Sequence, residues 1–272
     1  MKEKKVVLVT GASSGIGRLT AERLYQKGYR VFGTSRHPDG RKDLPFPLLK
    51  LDVTDAAMRE EAVQEVLHRE GRLDVLVNNA GMGIAGPVEE CGPEKSRYQM
   101  ETVFWGAVEM SRLVLPAMRA QQGGRIICVS SIAGRIGLPY QAYYSAAKFA
   151  MEGLFEGLQL EVARFGIDIV LVEPGDMRTR FTADRDWCLP DNSPYLEQTE
   201  KTKAIIEKNE LSGGNPERVA RKIVRIIEKK YPRFRYMVGK PEEVAAVWLR
   251  SLLPSRLFGR VLASFYGIKL HP

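Results

Sequence analysis

The feature that most constrains the fold is a glycine-rich loop directly after a short β-branched run. Residues 5–10 read KVVLVT, the near-continuous apolar pattern of a strand buried on both faces of a parallel sheet. Residues 11–17 read GASSGIG and open a helical pattern that stops at Gly28. Glycines at such a junction let the backbone approach a pyrophosphate closely, and the helix N-terminus favours its negative charge. The stretch therefore predicts a strand–loop–helix unit with a phosphate site.

The same alternation of strand and helix continues along the chain. Further strands are predicted at 29–35, 47–51, 74–77, 125–129 and 168–173. Between them we expect a helix capped by Thr54 and a long helix over 93–122, kinked or joined at Pro116. Strands that alternate with helices at this spacing form right-handed βαβ units. The predicted fold class is therefore α/β, with a doubly wound parallel β-sheet of the Rossmann type.

The sequence changes character after residue 178. Residues 180–214 mix charges with prolines and end in a pair of glycines, the pattern of a lid inserted over a site. A last strand is predicted at 235–238. We expect one dinucleotide-binding and catalytic domain over 1–240, followed by a helical extension over 241–272.

The net charge of +8 is concentrated in the last fifth of the chain. Residues 215–272 contain 13 Lys and Arg against 4 Asp and Glu, whereas the preceding residues are nearly neutral. An excess confined to one segment argues against a nucleic-acid binder. Within 241–272, positions 257, 258, 261, 262 and 265 share one apolar helix face. This extension either contacts an anionic membrane surface peripherally or covers a sheet edge or subunit interface.

The three cysteines indicate the compartment. Cys91, Cys128 and Cys188 are far apart in the sequence and show no metal-ligand pairing. With an odd count and no secretory leader, they are typical of reduced thiols in a cytosol-like compartment. The apolar run near the N-terminus is too short for a signal peptide or a membrane span. The expectation is a cytoplasmic protein without a metal site.

The end of the second predicted strand bears on the choice of dinucleotide. An NAD-binding unit normally places a carboxylate there, on the ribose hydroxyls. Here the strand ends in Thr34, Ser35 and Arg36, with no carboxylate. The Arg36 guanidinium suits a 2′-phosphate, and His37 and Arg41 add positive potential. The pattern favours NADP(H) over NAD(H), with a simple exposed arginine as the alternative.

A tyrosine and a lysine four residues apart provide the candidate chemistry. Tyr144 and Lys148 lie on one helical face, and a serine pair at 130–131 closes the preceding strand. A phenol with an ordinary pKa near ~10 exchanges protons at neutral pH only when a positive charge favours its phenolate. A serine hydroxyl can then orient a substrate oxygen while the tyrosine transfers the proton. The alternative is an ordinary surface pair on an amphipathic helix.

Five motifs, in order, resemble a known family. They are TGxxxGIG at 10–17, NNAG at 78–81, Ser131, YxxxK at 144–148 and PGxxxT at 174–179. On these residues the chain resembles the short-chain dehydrogenase/reductase superfamily over about 4–240. The resemblance is to the branch that holds 17β-hydroxysteroid and retinol dehydrogenases. It implies an NADP(H)-dependent oxidoreductase that interconverts a carbonyl and an alcohol.

The resemblance also implies the role of each site residue. Tyr144 is the general acid/base, its pKa lowered by Lys148 and by the positive nicotinamide, and Lys148 also holds the nicotinamide ribose. Ser131 orients the substrate, and the interval of 13 residues to Tyr144 selects it over Ser130. The full set of expected cofactor-binding residues is Gly11, Ser13, Ser14, Gly15, Ile16, Gly17, Arg36, Asp52, Val53, Asn79, Ala80, Gly81, Tyr144, Lys148, Pro174, Gly175, Met177 and Thr179.

One position departs from the family pattern. The asparagine three residues before Gly106, which normally helps to hold a water near the lysine, is Val103. We expect a weakened or rerouted proton relay rather than lost chemistry. The alternative function is an NADP(H)-binding sensor or scaffold with weak catalysis.

Substrate and assembly are expected from the same resemblance. A lipophilic substrate is suggested by the branch and by Phe181, Trp187 and Leu189 in the lid, which lid packing alone would also explain. The helix over 142–165 carries alanines and glycines on positions that permit close packing. In this family that helix forms a subunit interface, so a homodimer or homotetramer is expected.

Overall fold

A seven-stranded, entirely parallel sheet forms the centre of the molecule. A computed structural model describes residues 4–39 and 43–270, so Arg41 lies outside the described residues. The strand order is β3-β2-β1-β4-β6-β7-β9, which confirms the doubly wound sheet. The strands are β1 (Val6–Val9), β2 (Arg30–Ser35), β3 (Leu48–Lys50), β4 (Val75–Asn78), β6 (Gly124–Val129), β7 (Ile167–Pro174) and β9 (Arg235–Val238).

Helices cover both faces of the sheet. In β1 the side chains alternate: Val6 and Leu8 enter one buried cluster, and Val7 and Val9 enter the other. A strand buried on both sides in this way needs an apolar residue at every position, as the sequence shows. The helices are α1 (Gly15–Gln26), α2 (Ala56–Glu70), α3 (Pro93–Met100), α4 (Gly106–Ala120), α5 (Ala142–Val162), α6 (Leu196–Leu211), α7 (Pro216–Glu228), α8 (Pro241–Leu252) and α9 (Ser255–Phe265).

The long helix predicted over 93–122 is interrupted at a different place. A five-residue π-helical turn, Glu101–Trp105, separates α3 from α4, and α4 continues through Pro116. At the end of this turn the backbone approaches the loop after β3, because a β-carbon on Gly106 would lie 2.8 Å from Val53 Cγ2. The irregularity therefore lies beside the site, where such turns are common in functional helices.

The predicted cap of α2 was wrong by one residue. Thr54 donates from both its N–H and its hydroxyl to Asp52 Oδ1, at 2.9 and 2.8 Å. The N-cap is Asp55, whose Oδ1 accepts the N–H of Met58 at 3.0 Å. Both residue types suit a cap, and the competing turn at Asp52 decides between them.

A second, two-stranded sheet was not predicted. It pairs β5 (Ile84–Ala85) with β8 (Asp186–Trp187) in parallel. Each strand is too short to leave a periodic signal in the sequence. The pairing attaches the beginning of the lid to the loop after β4, directly beside the carboxyl ends of the main strands.

The two C-terminal helices turn apolar residues both inward and outward. Phe258 is buried and Leu262 packs beside it against Ile136, whereas Leu257 and Phe265 are 47% and 59% exposed. The five apolar positions predicted to share one face of α9 do share it, and α8 with the loop after β6 covers only part of that face. Within the described chain, none of the helices has the length and apolar character that crossing a bilayer requires.

The small residues of α5 are divided between core and surface. Ala147 and Ala150 pack into the buried cluster on that face of the sheet, whereas Gly153 and Gly157 are exposed. Leu160, near the end of the helix, is 75% exposed. The homodimer or homotetramer expected through this helix stays a prediction.

Candidate active site

A cavity of about 460 Å³ lies at the carboxyl ends of the strands and collects almost all predicted site residues. Parallel strands bring their carboxyl ends to one edge, so residues far apart in sequence meet there. Gly17 is the predicted residue that does not line this cavity. Those that do are Gly11, Ser13, Ser14, Gly15, Ile16, Arg36, Asp52, Val53, Asn79, Ala80, Gly81, Ser131, Tyr144, Lys148, Pro174, Gly175, Met177 and Thr179.

The glycine loop is shaped by contact with the NNAG segment. Asn79 Nδ2 donates to the carbonyl oxygens of Thr10 and Gly11 at 3.0 and 3.1 Å. A β-carbon at Gly17 would lie only 2.3 Å from the Gly11 oxygen. Gly11 itself has φ +64°, a conformation that glycine adopts without strain. Gly17 therefore permits close packing of loop and helix rather than contact with a ligand.

The N-terminus of α1 opens into the cavity. Ser14 is the N-cap but makes no side-chain capping hydrogen bond. The first N–H groups of a helix lack intrahelical partners and attract anions. With Ser13 and Gly15 in the lining, this loop has the shape and donors to hold a pyrophosphate.

The end of β2 contributes a positively charged part of the lining. Ser35, Arg36 and His37 all line the cavity. Arg36 is exposed, and its Nη1 lies 3.3 Å from the hydroxyl oxygen of Tyr98, to which it donates. The guanidinium keeps further donors for an anion, because it carries five N–H groups.

Ser131 and Tyr144 are brought together from opposite ends of one loop. Ser131 follows β6 and accepts the N–H of Ala133 at 3.1 Å, and its hydroxyl donates to the Pro174 oxygen at 3.5 Å. Tyr144 lies in the first turn of α5, with its ring 5.5 Å from that of Phe181. By contrast, Ser130 Oγ is buried without a hydrogen-bond partner in the described chain. Ser131 is thus the serine placed to act with Tyr144.

Lys148 is buried and held by the backbone of the neighbouring strand. Its Nζ donates to the carbonyl oxygen of Val129 at 2.7 Å and lies 5.7 Å from the centroid of the Tyr144 ring. Burial lowers the pKa of Lys148 to about 8, while the charges of Cys128 and Glu152 act in the opposite direction. The ammonium is therefore close to its deprotonation range at physiological pH.

The lowering of the Tyr144 pKa that is expected from Lys148 together with the nicotinamide stays a prediction. Burial raises the pKa of the Tyr144 phenol to about 12, and the Ser131 hydroxyl and Arg185 charge offset it only in part. Desolvation dominates because the phenolate would be enclosed in protein. A lower pKa needs a further positive charge beside the ring.

Val103 lies in the π-helical turn and is fully buried. A β-carbon at Gly81 would lie 4.0 Å from its Cγ2, so the valine packs against the NNAG segment. The adjacent Thr102 lines the cavity, and its hydroxyl has no hydrogen-bond partner within the described residues. The amide that the family places here is thus replaced by a methyl surface next to an unpaired hydroxyl.

The inner end of the cavity holds charged residues that the sequence did not reveal. Arg185 makes two hydrogen bonds to Glu210, at 2.6 and 3.1 Å, and both side chains are buried. Asp176 lies in the same lining. The PGxxxT motif placed Asp176 near the site, but its variable position gave no signal of a role. The pair of Arg185 and Glu210 gave no sequence signal either, because its members are 25 residues apart in an irregular lid.

Of the three lid residues expected near the substrate, only Phe181 lines this cavity among the described residues. Trp187 and Leu189 lie in a separate cleft beside α3, with Pro93 and Lys95. The substrate end is accordingly mixed in character: apolar side chains such as Met82 and Leu138 face charged ones.

Comparison with known proteins assigns the chain to a family. Residues 5–187 match the family described as short chain dehydrogenase. The 3-ketodihydrosphingosine reductase of Bacteroides thetaiotaomicron is 41% identical over 269 residues, covering 98% of this chain and 100% of the other. The dehydrogenase/reductase SDR family member 7B of Xenopus tropicalis is 30% identical over 273 residues, covering 95% of this chain and 84% of the other.

Solved structures agree with this assignment. A short-chain dehydrogenase from Streptomyces avermitilis superimposes with a TM-score of 0.80 at 31% identity, covering 97% of both chains. A short chain dehydrogenase from Burkholderia cenocepacia in complex with NADP gives a TM-score of 0.76 at 25% identity, over 96% of this chain and 98% of the other. The parallel sheet, the motifs and the similarity over the full length lead to one conclusion: the chain belongs to the short-chain dehydrogenase/reductase family and is an oxidoreductase acting on CH–OH groups.

Proposed function

We propose that the protein is an NADP(H)-dependent reductase of long-chain ketones of the 3-ketodihydrosphingosine class. The observation that carries this proposal is the similarity to a 3-ketodihydrosphingosine reductase at 41% identity, over 98% of this chain and all of the other. Ser131, Tyr144 and Lys148 meet in one cavity, which supports the same chemistry.

The residues in the cavity fit a nicotinamide dinucleotide. The loop 11–17 with the N-terminus of α1 would hold the pyrophosphate, and Asp52 with Val53 would flank the adenine. Arg36, with Ser35 and His37, would bind a 2′-phosphate. The Burkholderia cenocepacia structure with NADP supports a nicotinamide cofactor, and Arg36 supports NADP(H).

When bound, the cofactor supplies or accepts the hydride. In the reducing direction, Ser131 holds the substrate carbonyl oxygen and Tyr144 donates its phenolic proton to that oxygen. The tyrosinate is then reprotonated from solvent. Lys148 contributes a positive charge on the same helix face and would hold the nicotinamide ribose.

Tyr144 can act as a general acid although burial raises its pKa. The protein's own groups raise its pKa to about 12, so the phenol stays protonated and is ready to donate. In the oxidising direction the positive nicotinamide would lower the pKa of Tyr144 and favour proton acceptance.

The cavity supports a substrate that is polar near the carbonyl and apolar elsewhere. The charged lid residues Asp184, Arg185 and Glu210 line the cavity. The apolar Phe181, Met82 and Leu138 line it too, and the Phe181 ring contacts that of Tyr144. A long-chain ketone with a polar head group matches this division.

The experiment is a turnover assay with one carbonyl compound from each candidate substrate class. Purified protein is mixed with NADPH or NADH and either 3-ketodihydrosphingosine, a steroid ketone or a retinal, and absorbance at the nicotinamide band is followed. We expect NADPH oxidation with the long-chain ketone, loss of it in Tyr144→Phe, and normal rates in the exposed control Tyr25→Phe.

Other outcomes would replace the proposal. Preference for the steroid or retinal would move the substrate class to that branch. Tight NADPH binding without turnover of any ketone, unchanged in Tyr144→Phe, would favour the sensor or scaffold suggested by Val103.

A further inference from the structure

The carboxylate of Asp176 faces the catalytic cavity and is unpaired. Across residues 4–39 and 43–270, its oxygens make no hydrogen bond and no ion pair. Its backbone, by contrast, is fixed: the N–H donates to Glu243 Oε1 at 3.0 Å and the carbonyl accepts the N–H of Gly214 at 2.7 Å. Because the backbone of Asp176 is held in place and its carboxylate has no protein partner among the described residues, the side chain is positioned to bind a ligand.

Asp176 lies close to the reacting groups. It is two residues after Pro174, whose carbonyl oxygen accepts the Ser131 hydroxyl at 3.5 Å. The negative charges of Glu210 and Asp176 both act to raise the pKa of Tyr144, so these carboxylates are within electrostatic reach of the phenol. A group bound to Asp176 would therefore be close to the carbonyl carbon whose oxygen Tyr144 protonates.

The cations nearby are already engaged. Arg185 is paired with Glu210 at 2.6 Å, and Lys148 donates to Val129 at 2.7 Å. Burial, followed by the charges of Glu243 and Glu210, raises the pKa of Asp176 to about 7, and Lys240 and Arg185 offset this only in part. A positively charged ligand group beside Asp176 would therefore stabilise the ionised form of its carboxylate, which none of these cations pairs with.

A second unpaired polar group lines the same cavity. Gln141 is only 5% exposed, and its side-chain amide has no hydrogen-bond partner in the described part of the chain. Its polar atoms open onto the cavity, so the hydrogen bonds that the protein leaves unmade can be made to a ligand there. The cavity therefore offers one carboxylate and one amide beside the catalytic tyrosine.

We infer that Asp176 binds a protonated amino group on the carbon next to the reacting carbonyl, with Gln141 binding a neighbouring hydroxyl. The substrate class is that of 2-amino-1-hydroxy-3-ketones with a long alkyl chain. This inference rests on the proposed function, since 3-ketodihydrosphingosine is such an amino ketone. A carboxylate and an ammonium form a charge-assisted hydrogen bond, the stronger kind.

The test compares two ketones that differ only in the amino group. NADPH-dependent reduction is measured for 2-amino-1-hydroxyoctadecan-3-one and for 1-hydroxyoctadecan-3-one, with wild type and Asp176→Asn. We expect kcat/KM of Asp176→Asn to fall about 10- to 100-fold on the amino ketone and to stay unchanged on the other. Asp176→Glu should restore part of the preference. Asp191→Asn, an exposed lid variant with the same charge change, should behave as wild type.

Binding without turnover separates this inference from the proposed function. Calorimetric titration of the NADP⁺-loaded protein uses 2-aminooctane-1,3-diol and octane-1,3-diol, which stay monomeric in water. Preference for the amino diol that is lost in Asp176→Asn, with an unchanged thermal unfolding midpoint, supports the amine site even if no ketone is reduced. Equal binding of both diols, or a preference kept in Asp176→Asn, overturns it even if long-chain ketones are reduced.

A separate observation concerns the outer surface of α8 and α9. Large apolar side chains are exposed there. Trp248, Leu252, Leu257, Val261 and Phe265 are 62%, 78%, 47%, 45% and 59% exposed. Within each helix these positions are four residues apart and so lie on one face, and exposed apolar faces of this kind mark an interaction site. These five residues are called the α8–α9 surface.

Positive charge predominates around the α8–α9 surface, and the acidic residues of α8, Glu242 and Glu243, are confined to its first turn. Residues 244–270 contain Arg250, Arg256, Arg260 and Lys269 but no Asp or Glu. The surface also adjoins the lid. Thr202 of α6 donates its hydroxyl hydrogen to the backbone carbonyl oxygen of Tyr266, the residue after α9, at 3.3 Å. Apolar groups flanked by cations match the interface of an anionic bilayer, where a tryptophan also sits favourably.

The geometry points to an anionic lipid surface as the partner of the α8–α9 surface. Flotation is measured with phosphatidylcholine vesicles with and without 30 mol% phosphatidylglycerol, a composition chosen for the assay. We expect binding to anionic vesicles that falls at least 10-fold in Trp248→Ser/Phe265→Ser and in Arg256→Glu/Arg260→Glu. The control Arg221→Glu/Arg225→Glu carries the same charge change on exposed positions of α7 and should bind normally.

Two results would overturn this second inference. One is equal flotation of wild type and both α8–α9 variants. The other is a dimer in lipid-free buffer that Trp248→Ser/Phe265→Ser converts to monomer, since the surface would then be covered by a second copy of the chain.

Discussion

The ammonium of Lys148 donates a hydrogen bond to the carbonyl oxygen of Val129 at 2.7 Å, which ties α5 to the last residue of β6. This bond fixes the helix that carries Tyr144 relative to the strand that leads into Ser131. The arrangement of the three proposed catalytic residues thus depends on one buried side chain.

Replacing Lys148 should therefore affect catalysis and cofactor affinity together. In Lys148→Met the charge and the bond to Val129 are lost, and we expect kcat to fall at least ~100-fold, within the usual range for such groups. Steady-state rates and NADPH fluorescence titration measure the two effects. Lys95→Met, at an exposed position, is the control. A rate within threefold of wild type would contradict the assigned role.

Arg36 should determine the choice between the two dinucleotides. Removing a charge-assisted bond to a phosphate costs about 1.5–3 kcal/mol. Arg36→Ser should therefore lower kcat/KM for NADPH about 10- to 100-fold and leave the value for NADH nearly unchanged. Arg178→Ser, an exposed arginine outside the cavity lining, serves as the control. An equal loss with both cofactors would show that Arg36 acts only structurally.

The raised pKa of Glu173 predicts a contribution to the free energy of unfolding that depends on pH. Burial, followed by the charge of Glu152, raises its folded-state pKa from 4.5 to about 7, despite the ion pair with Arg135 at 3.1 Å. The folded state then binds a proton more tightly than the unfolded state. Its contribution to the free energy of unfolding must fall as pH rises from about 4.5 through about 7.

Urea unfolding of Glu173→Gln at pH 5 and pH 8 measures this contribution. A folded pKa raised by this amount corresponds to about 3 kcal/mol over the full window. The decline in the unfolding free energy between the two pH values should be smaller in the variant than in wild type, by about 2 kcal/mol. The exposed control Glu161→Gln should keep the wild-type decline. Identical declines in Glu173→Gln and wild type would refute the raised pKa.

The Val103→Asn variant tests whether the supply of protons to the active site limits turnover. Val103→Asn returns an amide to the π-helical turn beside the NNAG segment. By the family resemblance, this amide would help to hold a water near Lys148. We expect kcat to rise about two- to tenfold at alkaline pH, where protons are scarce, a small part of the ~10²- to 10⁴-fold that positioned proton transfer contributes. Pre-steady-state rates in H₂O and D₂O, with Val108→Asn as a control on α4, measure the effect. No gain at any pH would mean that the relay is not limiting.

The sheet and its ligand edge could be predicted because each central strand is buried on both faces. Such strands leave an unbroken apolar run, as in Val6–Val9, and the motifs follow them directly in the sequence. The π-helical turn at Glu101–Trp105 could not be predicted, because it depends on how closely the helix approaches Val53. The obvious signal, Pro116, indicated a break where the helix continues.

The inner cavity was hidden for a related reason. Arg185 and Glu210 belong to an irregular lid, and only the fold brings them together. The inward and outward faces of α9 also depend on which neighbour covers the helix: Phe258 is buried and Leu257 is not, although both are large and apolar. Local periodicity contains no information on such contacts.

The most direct test of the proposed function is single-turnover reduction of 3-ketodihydrosphingosine by wild type and Tyr144→Phe, each preloaded with NADPH. Wild type should convert the bound ketone to the alcohol. Tyr144→Phe should bind NADPH and ketone with unchanged affinity but react ~10²- to 10⁴-fold more slowly, the usual contribution of a general acid. Equal single-turnover rates in the two proteins would contradict the role of Tyr144, and failure of wild type to reduce the ketone would contradict the proposed substrate class.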